Sequence, residues 1–550
     1  MKSTFHGLET ARRALSAQQT AIQTTGHNIA NANTPGYSRQ RVNLQPTGGF
    51  PTPGFSQPSI TGQLGSGVTA GEITRIREVY LDDQFRGENN KHGYWNSLHE
   101  SLVKMEDIMN EPTEDGLANM MDRFWQSLQD LSVHPEDAGA RSVVRQRGIA
   151  LSETFNYTYN SLQAVQNDQK NQLQVEQDQI NSLLRQVNNI NKQIAAIEPH
   201  GHLSNDLYDQ RDILVDELSQ FINVSVEQVG SGGLAKDMAA GRYTIKLLDG
   251  NGRDMGVTLV DGTRLEANEL HISYDEDSGL VDKMFIAKPR ALEGIESVAE
   301  LEGKGGVMTF DSLEAFRSPG SFSALIESHG YLDSQGNEKG LYPEMMAQLD
   351  QMVFTFVEAF NKVHSEGWSL SEITDGEKAH DGLGFDFFTY ARGTTEITED
   401  SIKGAAQRLK VHDDIIRNLD NIAASGAADG DTPAEIGFSG DGSNALALAN
   451  VKDASISFGG SATTNVQAFY QGIIGDMAVN ANEAERMTRN SATLRDSVDE
   501  RRMSVSGVSL DEELTNLIQF QHAYNAAARS ITAVDEMLDV IINRMGVVGR

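Results

Sequence analysis

The sequence predicts an α+β protein with terminal helices paired as a coiled coil, a core built as a bundle of long helices, and a small β-rich domain inserted into it. Three observations predict this. Apolar residues recur at seven-residue spacing at both ends of the chain. A further long stripe with steps of three and four lies inside. Between the helical stripes, one segment alternates with period two and is cut by frequent turn pairs. At 550 residues the chain exceeds one ordinary core and divides into about three or four domains.

The N-terminal stripe runs through Leu8, Leu15, Ile22 and Ile29, with Phe5, Ala11 and Ala21 beside it. It stops at Asn31-Ala32-Asn33-Thr34-Pro35-Gly36-Tyr37, where Pro-Gly suits the centre of a type II turn. Val42 to Gly71 is rich in Gly, Pro, Ser and Thr and reads as an extended linker with short strand pieces. An internal stripe joins Phe155, Tyr159, Leu162, Leu173, Ile180, Leu183, Val187, Ile190, Ile194 and Ile197. Gln166, Gln169 and Glu176 interrupt it, which predicts a loosened middle, and Pro199-His200-Gly201 ends it. Val224 to Phe310 carries alternating segments such as Tyr243 to Leu247 and turns at Asp249-Gly250, Asn251-Gly252, Asp261-Gly262 and Ser278-Gly279. A further helix, roughly 343 to 364, buries Met345, Leu349, Met352, Phe356, Phe360 and Val363. Ser365 to Asn444 is Gly- and Asp-rich, with many turns and no clear periodicity.

At the C-terminal end, Ser509 and Glu512 have capping-box spacing, worth roughly 1 kcal/mol. Beyond them Leu510, Leu517, Tyr524, Ile531, Leu538 and Met545 recur every seventh place, with Phe520, Ala527, Val534 and Ile541 in the second seam position. Glu513 breaks the seam in the first turn, where a carboxylate suits the helix dipole. Each stripe residue contributes roughly 1.5–3 kcal/mol when fully buried. Neither terminal helix can bury its stripe alone, so the two are expected to pack on each other and to gain further cover from neighbouring subunits. Residues 1–60 and 505–550 are therefore expected to form one unit, disordered until assembly. Residues 61–205 with 311–504 are expected to form a discontinuous helical core, and 206–310 a β-rich outer domain. The bland alternative, a rigid flank of a globular core, fits the periodicity equally well.

Composition narrows the function. Lys plus Arg number 45 and Asp plus Glu 78, giving a net charge of −33, which disfavours nucleic acid and anionic membranes as partners. There is no cysteine, so no disulfide, thiolate metal site or cysteine nucleophile. The first fourteen residues hold Lys2, His6, Glu9, Arg12 and Arg13, unlike a cleaved signal peptide, and no apolar run of about 18 residues is long enough to span a membrane.

The search for chemistry ends in turns and surfaces. His99-Glu100 starts a zinc-protease pattern, but Val103 stands where the second His belongs. Gly437-Phe438-Ser439-Gly440-Asp441 lacks the last Gly of a nucleophile elbow, and Gly303-Lys304 lacks the rest of a phosphate loop. Asp275-Glu276-Asp277 and Asp429-Gly430-Asp431 could hold Ca²⁺ weakly, but acidic turns are ordinary in so negative a chain. His200-Gly201-His202 reads as a loop, and Arg211 among Asp206, Asp209, Asp212 and Asp216 as a surface ion-pair face. No catalytic, cofactor or metal site is expected, and the chain is not read as an enzyme.

The segment His27-Asn28-Ile29-Ala30-Asn31-Ala32-Asn33-Thr34-Pro35-Gly36-Tyr37-Ser38-Arg39-Gln40 resembles the N-terminal signature of flagellar axial proteins, with His27 where Asn is usual. Asp206 to Leu214, Phe356 to His364 with Phe385 to Phe388, and Ser506 to Leu514 running into Gln519-Phe520-Gln521 resemble further segments of the hook-associated branch of that family. The resemblance covers both ends and several middle segments in the expected order. It implies paired terminal helices forming an inner tube, a helical domain outside it and β-rich domains further out. It implies export through the flagellar type III channel and ring assembly with copies of itself. Its implied neighbours are hook protein and hook-associated protein 3, and a flagellar export chaperone holds the C-terminal helix beforehand. Ser365 to Asn444 is short for a large second outer domain. The assembly interface is then expected at Leu8, Leu15, Ile22, Ile29, Leu510, Leu517, Tyr524, Ile531 and Leu538. The alternatives are another axial protein, or a secreted coiled-coil adhesin.

Overall fold

The computed structural model describes residues 4–49, 65–109, 116–295, 297–393, 396–398, 401–426, 436–459 and 463–544. Residues 50–64 of the linker, Asp429-Gly430-Asp431 and Met545 lie outside them. Helix α1 (Thr4–Ala30) ends at the expected turn, where Gly36 takes φ +73°. Strands β1 (Gln40–Pro46) and β2 (Val68–Arg75) pair antiparallel as a ribbon, with a bulge at Asn43/Leu44. Helix α2 (Val79–Met109) leads to α3 (Leu117–Val133) and then to α4 (Ala138–Ile197), a single helix of 60 residues. Asp137 caps α4 by accepting from the Gly139 amide.

Helix α5 (Asn205–Phe221) turns back along α4 and feeds two small sheets. The first has the order β3 (Val224–Val229), β4 (Arg242–Leu248), β5 (Asp254–Asp261), β6 (Glu266–Ala267). The second places β7 (Glu269–Tyr274) beside β8 (Val281–Ala287), with β9 (Val307–Phe310) also pairing β8. After α6 (Leu313–Phe316) and α7 (Ser321–His329), β10 (Tyr331–Leu332) and β11 (Glu338–Lys339) complete that sheet. Helix α8 (Leu341–Glu366) matches the stripe read between 343 and 364.

Short elements then fill the stretch without periodicity. Helices α9 (Leu370–Asp375), α10 (Ala379–Gly382), α11 (Ala405–Arg408), α12 (Asp413–Arg417) and α13 (Ser443–Asn450) alternate with two-stranded pairings. Two long helices finish the chain, α14 (Val466–Ser506) and α15 (Leu510–Asp539).

Two large apolar clusters organise this architecture, and α4 runs through both. Its first half packs with α3, α8 and α14 around Phe124, Trp125, Phe356, Phe360, Phe387 and Phe388, whose rings meet edge-on or tilted at 4.8–6.2 Å. The stretch 387–424 thus belongs to the main core, through Phe387, Leu409, Val411, Ile415 and Ile422. From Leu173 onward, α4 packs on α5 and both sheets.

Between the clusters the interrupting polar residues do not loosen the helix, contrary to expectation. Gln166 Nε2 donates to His329 O (2.8 Å), Gln169 Nε2 to Ser101 Oγ (3.0 Å), and Ser321 Oγ to Glu176 Oε2 (3.0 Å). Each interruption therefore binds a neighbouring element. Further along α4 a ladder of amides meets strand backbone. Asn181 exchanges two bonds with Leu270 (2.7 and 2.8 Å), and Gln177 accepts from the Ile272 amide (2.9 Å). Asn191 exchanges two with Tyr243 (2.9 and 3.0 Å). Among the described residues no helix is long and apolar enough to cross a membrane.

Candidate assembly interface and its base

Helices α1 and α15 lie antiparallel along each other. The register follows from two contacts: Gly7 faces Val534 near one end, and Asn28 Nδ2 donates to Glu513 Oε2 (3.0 Å) at the other. Small residues allow the close approach, since Ala11, Ala17, Ala21 and Ala527 are the buried apolar positions. Leu8, Leu15, Ile22 and Ile29 are half-buried, as are Leu517, Tyr524, Ile531 and Leu538, whereas Leu510 is exposed. The pair therefore covers each seam only in part. Leu510, Leu514 and Ile518 near the base, and Met537, Ile541 and Ile542 near the tip, leave an apolar edge of α15 in solvent.

At the base of the pair the signature residues interlock. Asn28 is buried and also donates to Gln40 O (2.8 Å), while its Oδ1 accepts from Tyr37 Oη (2.8 Å) and the Gln40 amide (3.0 Å). His27 Nδ1 lies 2.9 Å from the same Tyr37 hydroxyl. One expectation for this end is corrected. Ser509 makes no side-chain cap, and Glu512 pairs with Arg39 instead of closing a capping box. Glu513 does lie in the first turn of α15, but buried, 4% exposed, where it also accepts from Asn28 and fixes it.

The acidic face of α5 is also corrected. Arg211 is fully buried, its guanidinium 3.3 Å from the centroid of the Tyr243 ring, and its Nη1 donates to Asn191 Oδ1 (3.0 Å) and Gly241 O (2.7 Å). Asp209, Asp212 and Asp216 turn into the molecule, where four arginines from three other segments meet them. Arg75 of the ribbon donates to Asp209 (2.8 Å) and Asp212 (2.9 Å). Arg77 forks onto Asp82 (2.6 and 2.9 Å) and lies 3.4 Å from Asp212. Arg86 of α2 donates to Asp216 (2.8 Å), as does Arg502 of α14. Tyr243 Oη donates to Asp212 (2.9 Å), and the Ser38 amide to Asp209 (3.1 Å).

Four arginines thus face four aspartates, Asp82, Asp209, Asp212 and Asp216, and every charge has a partner. Burial opposes ionisation of Asp212, yet Arg77, Arg75 and Arg86 outweigh it and hold its carboxyl well below the usual range. For Asp209 burial prevails over Arg75 and pushes the carboxyl up. The signal for this cluster was present in the sequence as Arg75 and Arg77 two apart at a strand end, and Asp209, Asp212 and Asp216 on one helical face. Nothing in spacing alone says that the two sets meet.

Residues 102–380 match the family model of the flagellar hook-associated protein FlgK helical domain. Residues 500–545 match that of the flagellar basal body rod FlgEFG protein C-terminal region, and 8–37 that of the flagella basal body rod protein. The chain is 44% identical over 551 residues to flagellar hook-associated protein 1 of Bacillus subtilis (strain 168), covering 100% of both. It is 26% identical over 610 residues to the Salmonella typhimurium protein of the same name, covering 97% of this chain and 98% of that one. The flagellar hook junction protein FlgK from Burkholderia pseudomallei shares the fold, with TM-score 0.58 and 13% identity, over 77% of this chain and 100% of that one.

Proposed function

The chain belongs to the flagellar hook-associated protein 1 family, and we infer that it is the structural protein joining hook to filament in the bacterial flagellum. The observation that carries the reading is the terminal pair itself. Two helices from opposite ends of the sequence lock at their base through Asn28 and Glu513, yet leave Leu510, Leu514 and Ile518 in water. An apolar edge of that kind is complete only when other copies cover it.

In this reading the terminal helices form the inner wall of a ring, and Leu8, Leu15, Ile22, Ile29, Leu510, Leu517, Tyr524, Ile531 and Leu538 carry its assembly. The helices fold fully on polymerisation, the helical bundle stands outside them, and the two small sheets project outward. Hook protein lies on one side of the ring and hook-associated protein 3 on the other. The route out of the cell is the flagellar export channel, with a cytoplasmic chaperone covering the seam of α15 beforehand. The role is mechanical and involves no catalysis.

Immunogold electron microscopy of flagella, with antibody against residues 224–310, tests this. Gold confined to the boundary between hook and filament is the expected result. Gold along the whole hook or filament would make the chain another axial subunit, and absence of flagellar label would overturn the reading.

A further inference from the structure

We propose that the buried arginine–aspartate cluster is a joint that holds the ribbon and the terminal helix pair at one fixed angle to the body. The inference takes its importance from the reading of the terminal pair as the assembling element, but its evidence is separate.

Among the described residues, none of the apolar clusters includes a residue of α1, the ribbon or α15. What crosses from the ribbon to α5 is almost wholly polar. Arg75 and Arg77 reach Asp209 and Asp212, the Ser38 amide reaches Asp209, and Gln40 Nε2 donates to Asp206 (3.1 Å). The apolar exception is Ile213, whose side chain occupies the space a Cβ on Gly36 would need. On the other flank, a groove of about 760 Å³ lined by both polar residues (Thr24, Glu72, Lys236) and apolar ones (Ile73, Ile197, Leu203) separates α1 and β2 from the loop after α4.

Apolar contacts are non-directional and tolerate sliding. Forked, desolvated ion pairs tolerate few arrangements, because any rotation leaves a buried charge without its partner. The cluster is also shared three ways. Arg86 ties α2 to Asp212, which also receives the ribbon. Arg502 of α14 lies 3.8 Å from Asp82, which Arg77 forks onto, and both Arg86 and Arg502 pair with the neighbouring Asp216. The Arg39 amide donates to Ser506 O (2.8 Å) at the elbow between α14 and α15. Both chain segments that enter the terminal pair are therefore gripped at one point. Force on the pair passes into the body through it.

The chain has no cysteine, so pairs of introduced cysteines can carry spin labels without interference. Thr69→Cys on the ribbon and Val175→Cys on α4, both exposed, report the joint by pulsed dipolar spectroscopy of the monomer. Val175→Cys with Val479→Cys on α14, both exposed, report the body. The test variant is the charge-balanced Arg75→Gln/Arg77→Gln/Asp209→Asn/Asp212→Asn, which removes equal charge from both sides. The unaltered cluster should give one narrow ribbon-to-body distance. The variant should broaden that distribution about twofold while the body distance stays narrow. A variant distribution as narrow as the original overturns the proposal, and so does a broad one with the cluster intact. If the body distance broadens too, the cluster holds the body itself and the joint is overturned. None of these outcomes depends on where the protein sits in a flagellum.

Discussion

Replacing Ile531 with Glu should abolish assembly while leaving the body intact. Ile531 is half-buried on α15, and the antiparallel register set by Gly7–Val534 and Asn28–Glu513 places it opposite the first turns of α1. A fully buried Ile contributes roughly 1.5–3 kcal/mol, so half of that, about 0.8–1.5 kcal/mol, is lost within one pair. The same seam is then further buried when copies cover it, and a carboxylate there costs more still unless it finds a partner. The loss recurs in every subunit of a closed assembly, so a modest local penalty becomes prohibitive for the whole. The body should not register the change, because no residue of α1 or α15 enters its apolar clusters. The assay is complementation of a non-motile deletion strain on soft agar, paired with thermal melting of the purified variant by circular dichroism. Normal swimming would refute the mechanism. A melting temperature of the body lowered by several degrees would refute the claim that the terminal pair is energetically separate.

Three further outcomes are expected of the body. His364 is fully buried, its Nε2 accepts the Ala423 amide (3.0 Å) and its Nδ1 faces Phe385 O (2.6 Å), and burial holds its pKa down at about 4. Because the folded value lies below the ordinary 6.5, its contribution is complete above pH 6.5 and is lost as pH falls toward 4. Urea titrations should show about 3 kcal/mol more acid sensitivity across that window in the original than in His364→Asn. Gly93→Ala should destabilise by about 1–3 kcal/mol in the same assay, since its Cβ would fall 2.2 Å from the Gln220 carbonyl oxygen where α2 meets α5. Asn181→Ala strands the Leu270 amide and carbonyl, costing about 2–4 kcal/mol, and hydrogen exchange at Leu270 should rise most.

The sequence was legible where burial is apolar and periodic. The stripes at 8–29, 155–197, 343–364 and 510–538 each lie on one helix. Helices α2 and α14 pack extensively on each other and were legible only in part. The start of α14 carries Val466, Tyr470, Ile473 and Met477, and the end of α2 carries Leu102, Met105 and Met109. The remaining buried positions include Asn89, Asn90, Gly93, Ser97 and Ser101 on α2 and Ala481, Ala484 and Ser491 on α14. Small and polar residues let backbones approach closely but give no hydrophobic period to read. The same limit hid the joint. Arg211 and Asp212 look like surface residues because charge usually means solvent. Asp212 is compensated by Arg75, Arg77 and Arg86 some 130 residues away, and Arg211 by Asn191, the Gly241 carbonyl and the Tyr243 ring. Residues 387–424 were opaque for another reason: their elements are three to five residues long, too short for any period to repeat.

The amide ladder on α4 has a consequence for a chain that must exist at high local concentration among its own copies. Strand β7 is the last of its sheet, and an open edge of that kind is a template on which another chain can add. Here the free edge is already occupied, since Asn181 and Gln177 stand in the places a further strand would take and satisfy Leu270 and Ile272. Tyr243 of β4 is satisfied in the same way by Asn191. A helix cannot be extended by strand addition, so this edge of the sheet is closed without being curled into a barrel. Copies brought together by their terminal helices would then be unable to pair through β7.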